Sequence, residues 1–206
     1  MEIALFKVKK ESLNQFKELN EKMSKVLSTY GGYISSKTYR GTDRDSVFID
    51  IVWWESLEKA KEAETKFRTD EALKDYRDAL GRVMYYDHIK PIENGTLSFN
   101  SYKEESSAIE FGVFKLKEGF NENYLTTRSP LMNVISKKYG DGLKEGIAYQ
   151  SIEHPLLHVE FTYWSNMDVC TKAQHEINES EPTYKPFMQN FDEKGPGYFG
   201  FFKLIR

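Results

Sequence analysis

The fold is decided by the stretch Val47-Phe48-Ile49-Asp50-Ile51-Val52-Trp53-Trp54, because it returns later in the chain. Its counterpart is Leu157-His158-Val159-Glu160-Phe161-Thr162-Tyr163-Trp164, in which an acidic residue and a final tryptophan recur at the same positions. The first copy is apolar at both alternating sets of positions, which is typical of a strand buried on both faces. We therefore expect a duplicated unit in which each copy contains one such strand.

A second repeated segment supports the duplication. Ile3-Ala4-Leu5-Phe6-Lys7-Val8-Lys9 returns as Phe111-Gly112-Val113-Phe114-Lys115-Leu116-Lys117. The shift is 108 positions for this segment and 110 for the first, so the two copies stay in step. A period of half the chain is much longer than the roughly 20–50 residues of a solenoid repeat.

Each half is predicted to have the order β-α-β-β-α-β. Hydrophobic periodicity predicts strands at residues 2–9, 33–39, 47–54 and 82–91, helices at 11–29 and 57–67, and a helical turn or two within 70–80. In the second half it predicts strands at 109–116, 143–152, 156–164 and 198–205, helices at 120–139 and 167–179, and a short helical or irregular stretch at 182–191. Pro130 should interrupt the helix at 120–139.

This order is the ferredoxin-like arrangement, a four-stranded antiparallel sheet with helices on one face. The other face needs a cover, and the second repeat can supply it. We therefore expect an α+β protein with two ferredoxin-like repeats packed sheet to sheet as an intrachain dimeric α+β barrel. Residues 1–92 form the first repeat, the polar segment 93–107 is the linker, and residues 108–206 form the second repeat.

Composition excludes several classes of protein. The net charge is −3 without a basic cluster, so a nucleic-acid partner is not expected. No apolar run approaches the ~20 residues that span a bilayer, and the N-terminus lacks the core of a signal peptide, so we expect a cytoplasmic protein without a membrane partner. Cys170 is the only cysteine, which rules out an intrachain disulfide and favours a buried thiol without a catalytic role.

Candidate chemistry begins with Asp50 and Glu160, which stand at the same position of the two repeated strands. A carboxylate among apolar neighbours must be paired, hydrogen-bonded or neutralised. One interpretation is structural, with Lys7, Lys37, Lys115 or a tyrosine hydroxyl as the partner. The other is a catalytic acid or base that faces a pocket.

The histidines are candidate metal ligands and candidate bases. His154 and His158 lie on an extended segment, where residues four apart are separated by roughly 13 Å, so no metal site is expected. His88 follows Tyr85, Tyr86 and Asp87 on a predicted strand and is a candidate general base for a phenol. The alternative is a partly exposed histidine without a catalytic role.

The run Val52-Trp53-Trp54-Glu55-Ser56, followed by an Ala- and Glu-rich helix, resembles the antibiotic-biosynthesis-monooxygenase-like family of the dimeric α+β barrel superfamily. The turn Gly31-Gly32-Tyr33 is similar to the same family pattern. The resemblance implies a cofactor-independent monooxygenase that acts on aromatic or polycyclic molecules. Haem-degrading relatives use an Asn in the first strand and a Trp and His in the second helical segment; here residues 2–9 contain no Asn, and Phe67 and Tyr76 replace the other two.

The resemblance also implies an apolar pocket that orients a substrate through a few polar or aromatic groups. The counterparts in this chain are Trp54, Tyr76, Tyr86 and His88 in the first half, and His158, Trp164 and Tyr184 in the second, with Asp50, Glu160 and His88 as catalytic candidates. No glycine-rich phosphate loop is present, so no nucleotide cofactor is expected. The partner is then a small aromatic or apolar molecule, and the chain is a monomeric pseudo-dimer or a homodimer. The alternative function is a non-catalytic, ligand-binding or stress-related α+β barrel protein.

Overall fold

The computed structural model describes residues 1–98, 107–177 and 180–205. It divides into two compact units. Unit 1 comprises Met1–Ile89 together with the end of the chain from Leu204, and unit 2 comprises Lys90–Lys203. The predicted domain boundaries at residues 92 and 108 stay a prediction.

Unit 1 contains a four-stranded antiparallel sheet and three helices. The elements are β1 (Glu2–Val8), α1 (Phe16–Leu27), β2 (Tyr33–Gly41), β3 (Val47–Trp54), α2 (Leu57–Thr69), α3 (Lys74–Ala79) and the first part of β4 (Leu80–Ser98), with short 3₁₀ turns at Lys10–Ser12 and Glu71–Leu73. The strand order is β4-β1-β3-β2. In this register Asp50 lies between Ala4 of β1 and Thr38 of β2.

Unit 2 repeats the same order. Its elements are β5 (Ala108–Lys115), α4 (Asn121–Tyr139), β6 (Leu143–Ser151), β7 (Leu157–Trp164), α5 (Met167–Glu176), α6 (Tyr184–Met188) and β8 (Tyr198–Leu204), with a 3₁₀ turn at Gly140–Gly142. The strand order is β8-β5-β7-β6, and Glu160 lies between Gly112 of β5 and Ala148 of β6. The predicted α+β class with two ferredoxin-like repeats is therefore confirmed.

The repeated strand is buried on both faces, as its sequence predicts. In β3, Phe48 and Val52 pack into a core with residues of α1, α2 and α3. On the opposite face, Ile49 and Ile51 are completely buried. Burying a side chain of this size is worth about 1.5–3 kcal/mol, so this strand contributes strongly to stability.

Strand β4 is longer than its sequence predicts. It continues to Ser98, past the predicted end at Pro91 and into the segment 93–107 that we interpreted as a linker. Ile92 and Leu97 explain the extension, because both pack against apolar clusters of unit 2. The rest of the predicted linker, residues 99–106, lies outside the described residues.

Helix α4 does not stop at Pro130, which differs from the predicted interruption. In the turns before the proline, the hydroxyls of Thr127 and Ser129 donate to the carbonyls of Asn123 and Leu125, at 2.8 and 3.1 Å. Helix α5 ends at Glu176, and of the residues predicted to extend it, 178 and 179 lie outside the described residues. None of the helices in the described part of the chain is long and apolar enough to cross a membrane.

The helix after each repeated strand begins with the same kind of cap. Ser56 Oγ accepts a hydrogen bond from the Lys59 backbone N–H at 3.2 Å, and Asn166 Oδ1 accepts one from Val169 at 3.0 Å. Each cap satisfies one of the N–H groups that lack a partner within the first turn of the helix. The duplication thus preserves the function of the cap while its residue type differs.

Removing either cap should destabilise the protein by a similar amount. We expect Ser56→Ala and Asn166→Ala each to lower the free energy of unfolding by about 1 kcal/mol, because the N–H group at the helix start loses its acceptor. Urea denaturation monitored by circular dichroism measures the change. Ser56→Asp is the matched control and should retain the stability; an equal loss in Ser56→Asp would show that the cap is not the cause.

Candidate functional site

Each unit contains a cavity between its helices and its sheet. The unit 1 cavity has a volume of about 460 Å³ and the unit 2 cavity about 730 Å³. Both volumes lie within the roughly 300–1,000 Å³ of typical small-molecule sites. Exposed apolar side chains lie at the edge of each cavity, Val83 (52% exposed) in unit 1 and Phe199 (49%) in unit 2.

Asp50 lines the unit 1 cavity and is held by neutral donors. Its Oδ1 accepts hydrogen bonds from Thr38 Oγ1 at 2.6 Å and from Asn20 Nδ2 at 3.4 Å, and its Oδ2 accepts one from the Tyr76 hydroxyl. The residue is only 7% exposed. Three donors satisfy much of the hydrogen-bonding capacity of the carboxylate, so its burial is not costly in the way an unpaired charge would be. A tyrosine hydroxyl was one of the predicted partners of this acid.

Trp54 also lines the unit 1 cavity, at the end of β3. It is 7% exposed and packs edge to face on Tyr33, with ring centroids 5.7 Å apart. Its indole Nε1 has no hydrogen-bond partner among the described residues. Trp54 therefore holds a buried, unused hydrogen-bond donor beside the unit 1 cavity.

In unit 2, Glu160 occupies the position of Asp50 and has different partners. Arg128 of α4 donates from Nε to Glu160 Oε1 at 2.5 Å, and the Tyr124 hydroxyl, one turn earlier, donates to Oε2. Burial and then the adjacent Glu160 raise the pKa of Tyr124 well above its ordinary value. Burial acts to lower the pKa of Arg128, but Glu160 and Tyr124 outweigh it and leave that pKa raised. Arg128 is therefore a buried, permanent cation.

The guanidinium of Arg128 is not fully used by the protein. The side chain is 1% exposed and lines the unit 2 cavity, yet neither Nη1 nor Nη2 has a hydrogen-bond partner among the described residues. Gly146 of β6 makes room for it, because a Cβ at that position would lie 2.9 Å from Nη2 and 2.5 Å from the methyl carbon of Met132. A larger residue at position 146 would displace one of these side chains.

Glu110 is a second carboxyl group of the unit 2 cavity. It lies on β5 and is partly buried. Burial, reinforced by the charge of Glu160, raises its pKa to about 7 despite an opposing hydrogen bond from Trp164. A carboxyl group with this pKa exchanges its proton near neutral pH, which is the property that a general acid or base needs. Burial also raises the pKa of the nearby Cys170 thiol, and Cys170 is completely inaccessible.

The structure distributes the predicted site residues over the two cavities and the packed interior. Asp50, Trp54, Tyr76 and Tyr86 line the unit 1 cavity, and Glu160, Trp164 and Tyr184 line the unit 2 cavity. His88 and His158 are not among the lining residues.

Both histidines are buried instead. His88 Nε2 lies 3.7 Å from Glu2 Oε2, and its ring packs against Tyr86. His158 packs edge to face on Tyr124, with ring centroids 5.3 Å apart. Burial lowers the pKa of His158, although a contact with the Leu156 carbonyl opposes the shift.

Tyr124, Arg128 and Glu110 are the functional candidates that the sequence did not lead us to. Tyr124 and Arg128 are four residues apart on a helix, so they share a face, and that face also carries Leu131 and Ile135. An arginine within an apolar helix face was the signal available from sequence. Asn20, at the corresponding position of α1, gives no such signal because its amide carries no charge.

Comparison with solved structures identifies the fold of this chain. No family model matches the sequence, and no curated protein sequence does either. A crystal structure named as an anthrone oxidase-like protein aligns over 100% of this chain and 90% of its own, with 14% identity and a TM-score of 0.73.

Two further solved structures are similar to this chain over most of its length, with lower TM-scores. A candidate monooxygenase from Lactobacillus acidophilus NCFM aligns over 98% of this chain and 92% of its own, with 9% identity and a TM-score of 0.62. A haem-degrading enzyme from Listeria monocytogenes aligns over 98% and 99%, with 9% identity and a TM-score of 0.50. At these identities the likeness concerns the fold. The chain therefore has the ferredoxin-like α+β fold of the antibiotic-biosynthesis-monooxygenase-like structures, which confirms the resemblance of its sequence at that level.

Proposed function

We propose that this protein binds a hydroxylated polycyclic aromatic molecule in the unit 2 cavity and oxidises it with O₂, without a cofactor. The observation that carries the proposal is the composition of that cavity, in which a carboxyl group of pKa about 7, Glu110, lies among aromatic side chains. The aromatic lining consists of Phe114, Trp164, Tyr184, Phe187, Phe191, Tyr198 and Phe199.

The lining supports a flat, apolar ligand. Aromatic rings pack well against other aromatic rings, in stacked or edge-to-face arrangements. Phe187 and Phe191 of unit 2 are already edge to face, with centroids 5.0 Å apart, and so present one ring face and one ring edge near the cavity. The anthrone oxidase-like neighbour supports the same substrate class, because anthrone is a tricyclic aromatic ketone.

The proposed reaction begins with removal of a proton from the substrate. Glu110 accepts a proton from a phenol or from the ring methylene of an anthrone, which lies opposite the carbonyl in the central ring; this leaves an electron-rich anion. That anion gives its electrons to O₂; one oxygen atom forms a new carbonyl on the ring carbon, and the other leaves as water with the two hydrogens removed from the substrate. Substrate and O₂ supply all the electrons and atoms, so the step needs no other reductant.

A binding role without catalysis is the second candidate, and unit 1 favours it. Asp50 accepts hydrogen bonds from Thr38, Asn20 and Tyr76, and a carboxylate held in this way is a structural acceptor more than a base. The unused indole N–H of Trp54 suits a carbonyl or hydroxyl of a bound ligand. We therefore propose the oxidation for the unit 2 cavity and only ligand binding for the unit 1 cavity.

Oxygen consumption tests the proposed reaction. We expect the protein to consume O₂ in the presence of anthrone or a hydroxyanthrone, and Glu110→Gln to lower kcat by about 10²–10⁴-fold because it removes the base. An oxygen electrode measures the rate. Trp54→Phe, in the unit 1 cavity, is the control and should leave the rate unchanged. Absence of uptake with the whole series, or an unchanged rate in Glu110→Gln, contradicts the proposal.

The raised pKa of Glu110 should also be visible in stability. The folded protein keeps the proton up to a pH of about 7, whereas the unfolded chain loses it near the ordinary value of 4.5. Stability should therefore fall as pH rises between these values, since the native state then binds the extra proton.

Urea unfolding of the wild type and of Glu110→Gln, measured at steps between pH 4.5 and 7.5, checks this dependence. The substitution should flatten the decline of the free energy of unfolding over that interval. Glu118→Gln, at an exposed position of the same unit, is the control and should keep the wild-type slope. Parallel curves for wild type and Glu110→Gln would show that Glu110 titrates normally.

A further inference from the structure

We infer that the ligand of the unit 2 cavity carries a planar pair of anionic oxygens, as in an aromatic carboxylate, and that the two terminal nitrogens of Arg128 bind this pair. The inference deepens the proposed function, because it concerns the same cavity, and it names the polar end of a molecule whose aromatic body was argued above. It depends on the donors of one buried side chain.

Arg128 has more hydrogen-bond donors than the described residues use. A guanidinium has five N–H groups, and it cannot act as an acceptor. The Nε–H group of Arg128 is taken by Glu160 at 2.5 Å. The other four N–H groups, on Nη1 and Nη2, have no acceptor among the described residues. They form the end of the guanidinium that a carboxylate contacts with two parallel hydrogen bonds.

Arg128 is deeply buried. Its side chain is 1% exposed, and each terminal nitrogen has less than 1 Å² of accessible surface, so a carboxylate contacts them only when the side chains that cover them move aside. A buried donor without a partner costs about 1–3 kcal/mol, and more when the group is charged. A ligand that offers two oxygens in one plane removes this cost at both nitrogens, and a single hydroxyl cannot.

The two units differ at the positions around the guanidinium. Asn20 in α1 corresponds to Arg128 in α4, and Ser36 in β2 corresponds to Gly146 in β6, as the repeat register shows. In unit 1, Ser36 Oγ lies 2.7 Å from the Tyr33 hydroxyl. In unit 2, Gly146 has no side chain, and a Cβ there would lie 2.9 Å from Arg128 Nη2. The larger cation and the smaller residue occur together in unit 2, as a site built for a guanidinium requires.

The cations near the unit 1 cavity are otherwise engaged. Arg77 Nη1 donates to the backbone carbonyls of Phe67 and Asp70, at 2.7 and 2.6 Å, and Arg68 pairs with Glu64 in an exposed position. Anion recognition is thus a property of the unit 2 cavity.

The charges around Arg128 give the inference a second consequence. Glu160 of β7 and Tyr124 of α4 are the titratable groups that interact with it, and Glu110 of β5 lines the same cavity. Glu160 already neutralises the guanidinium, so an ionised Glu110 repels an incoming carboxylate. A ligand carboxylate should therefore bind more tightly when Glu110 is replaced by a neutral isostere.

Binding of matched probes tests the inference. We would titrate the full-length protein, under nitrogen, with anthracene-2-carboxylate and with its uncharged amide, and follow tryptophan fluorescence and heat. We expect the carboxylate to bind at least about tenfold more tightly than the amide. Equal affinities would overturn the inference, because they would mean that the terminal nitrogens of Arg128 do not distinguish an anionic carboxylate from a neutral acceptor.

Variants then assign the effect to Arg128. Arg128→Lys retains the charge but loses the two-pronged geometry, and should weaken the carboxylate about tenfold while changing the amide by less than about threefold. Glu110→Gln should tighten the carboxylate. Arg82→Gln changes an exposed arginine that lines neither cavity; it is the control and should change neither affinity. Unchanged carboxylate binding in Arg128→Lys, in a sample with wild-type near-UV circular dichroism, would also overturn the inference.

These measurements separate this inference from the proposed reaction. They need no oxygen and no turnover, so a carboxylate preference without O₂ consumption would contradict the oxidation alone. Oxygen consumption with anthrone and no preference for the carboxylate would contradict the anion site alone.

Discussion

A carboxylate inside an apolar strand is the constraint on which both units depend. Asp50 and Glu160 cannot remain ionised in the interior without donors, and each unit must bring those donors from its helices or its neighbouring strands. Because some of these donors lie on helices, the carboxylate connects a central strand of each sheet to the helices. Each acid also lines the cavity of its unit.

The two units meet this constraint with the same parts in a different arrangement. In unit 1 the first helix contributes the ring of Phe16 and the third contributes Tyr76, with centroids 5.6 Å apart. In unit 2 the first helix contributes Tyr124 and the last contributes Phe187, 5.9 Å apart. The hydroxyl that donates to the acid has moved from one ring of the pair to the other. Each unit therefore has two packed rings and one hydroxyl that donates to the acid, although the residue types at equivalent positions differ.

Much of the fold was accessible from the sequence, and the reasons are physical. Two-sided burial of β3 follows from its apolar residues at consecutive positions. The bounds Val47–Trp54 match because polar residues flank a run that is apolar at every position except Asp50. The length of β4 was not accessible, since Asn94-Gly95 is typical of a turn. Gly95 is needed there for close packing, because a Cβ would lie 3.0 Å from the Ala148 carbonyl.

The site was accessible only in part. Alternation along β3 and β7 identified the acids and the tryptophans, because strand geometry fixes which side chains share a face. It could not identify Arg128, whose role depends on contact between a helix and a strand that are distant in sequence. The burial of His88 could not be predicted in this way, because the depth of a strand residue depends on what packs over it; here Tyr86 packs against its ring and Glu2 Oε2 lies 3.7 Å from its Nε2.

A duplicated chain can contain two related cavities that carry different residues. In a dimer of identical subunits, a change from asparagine to arginine would alter both sites together, and each cavity would have to accept the same occupant. Here Asn20 and Arg128 are encoded separately, as are Ser36 and Gly146. Duplication within one chain therefore lets the two cavities differ in their polar groups, and every molecule carries one cavity of each kind.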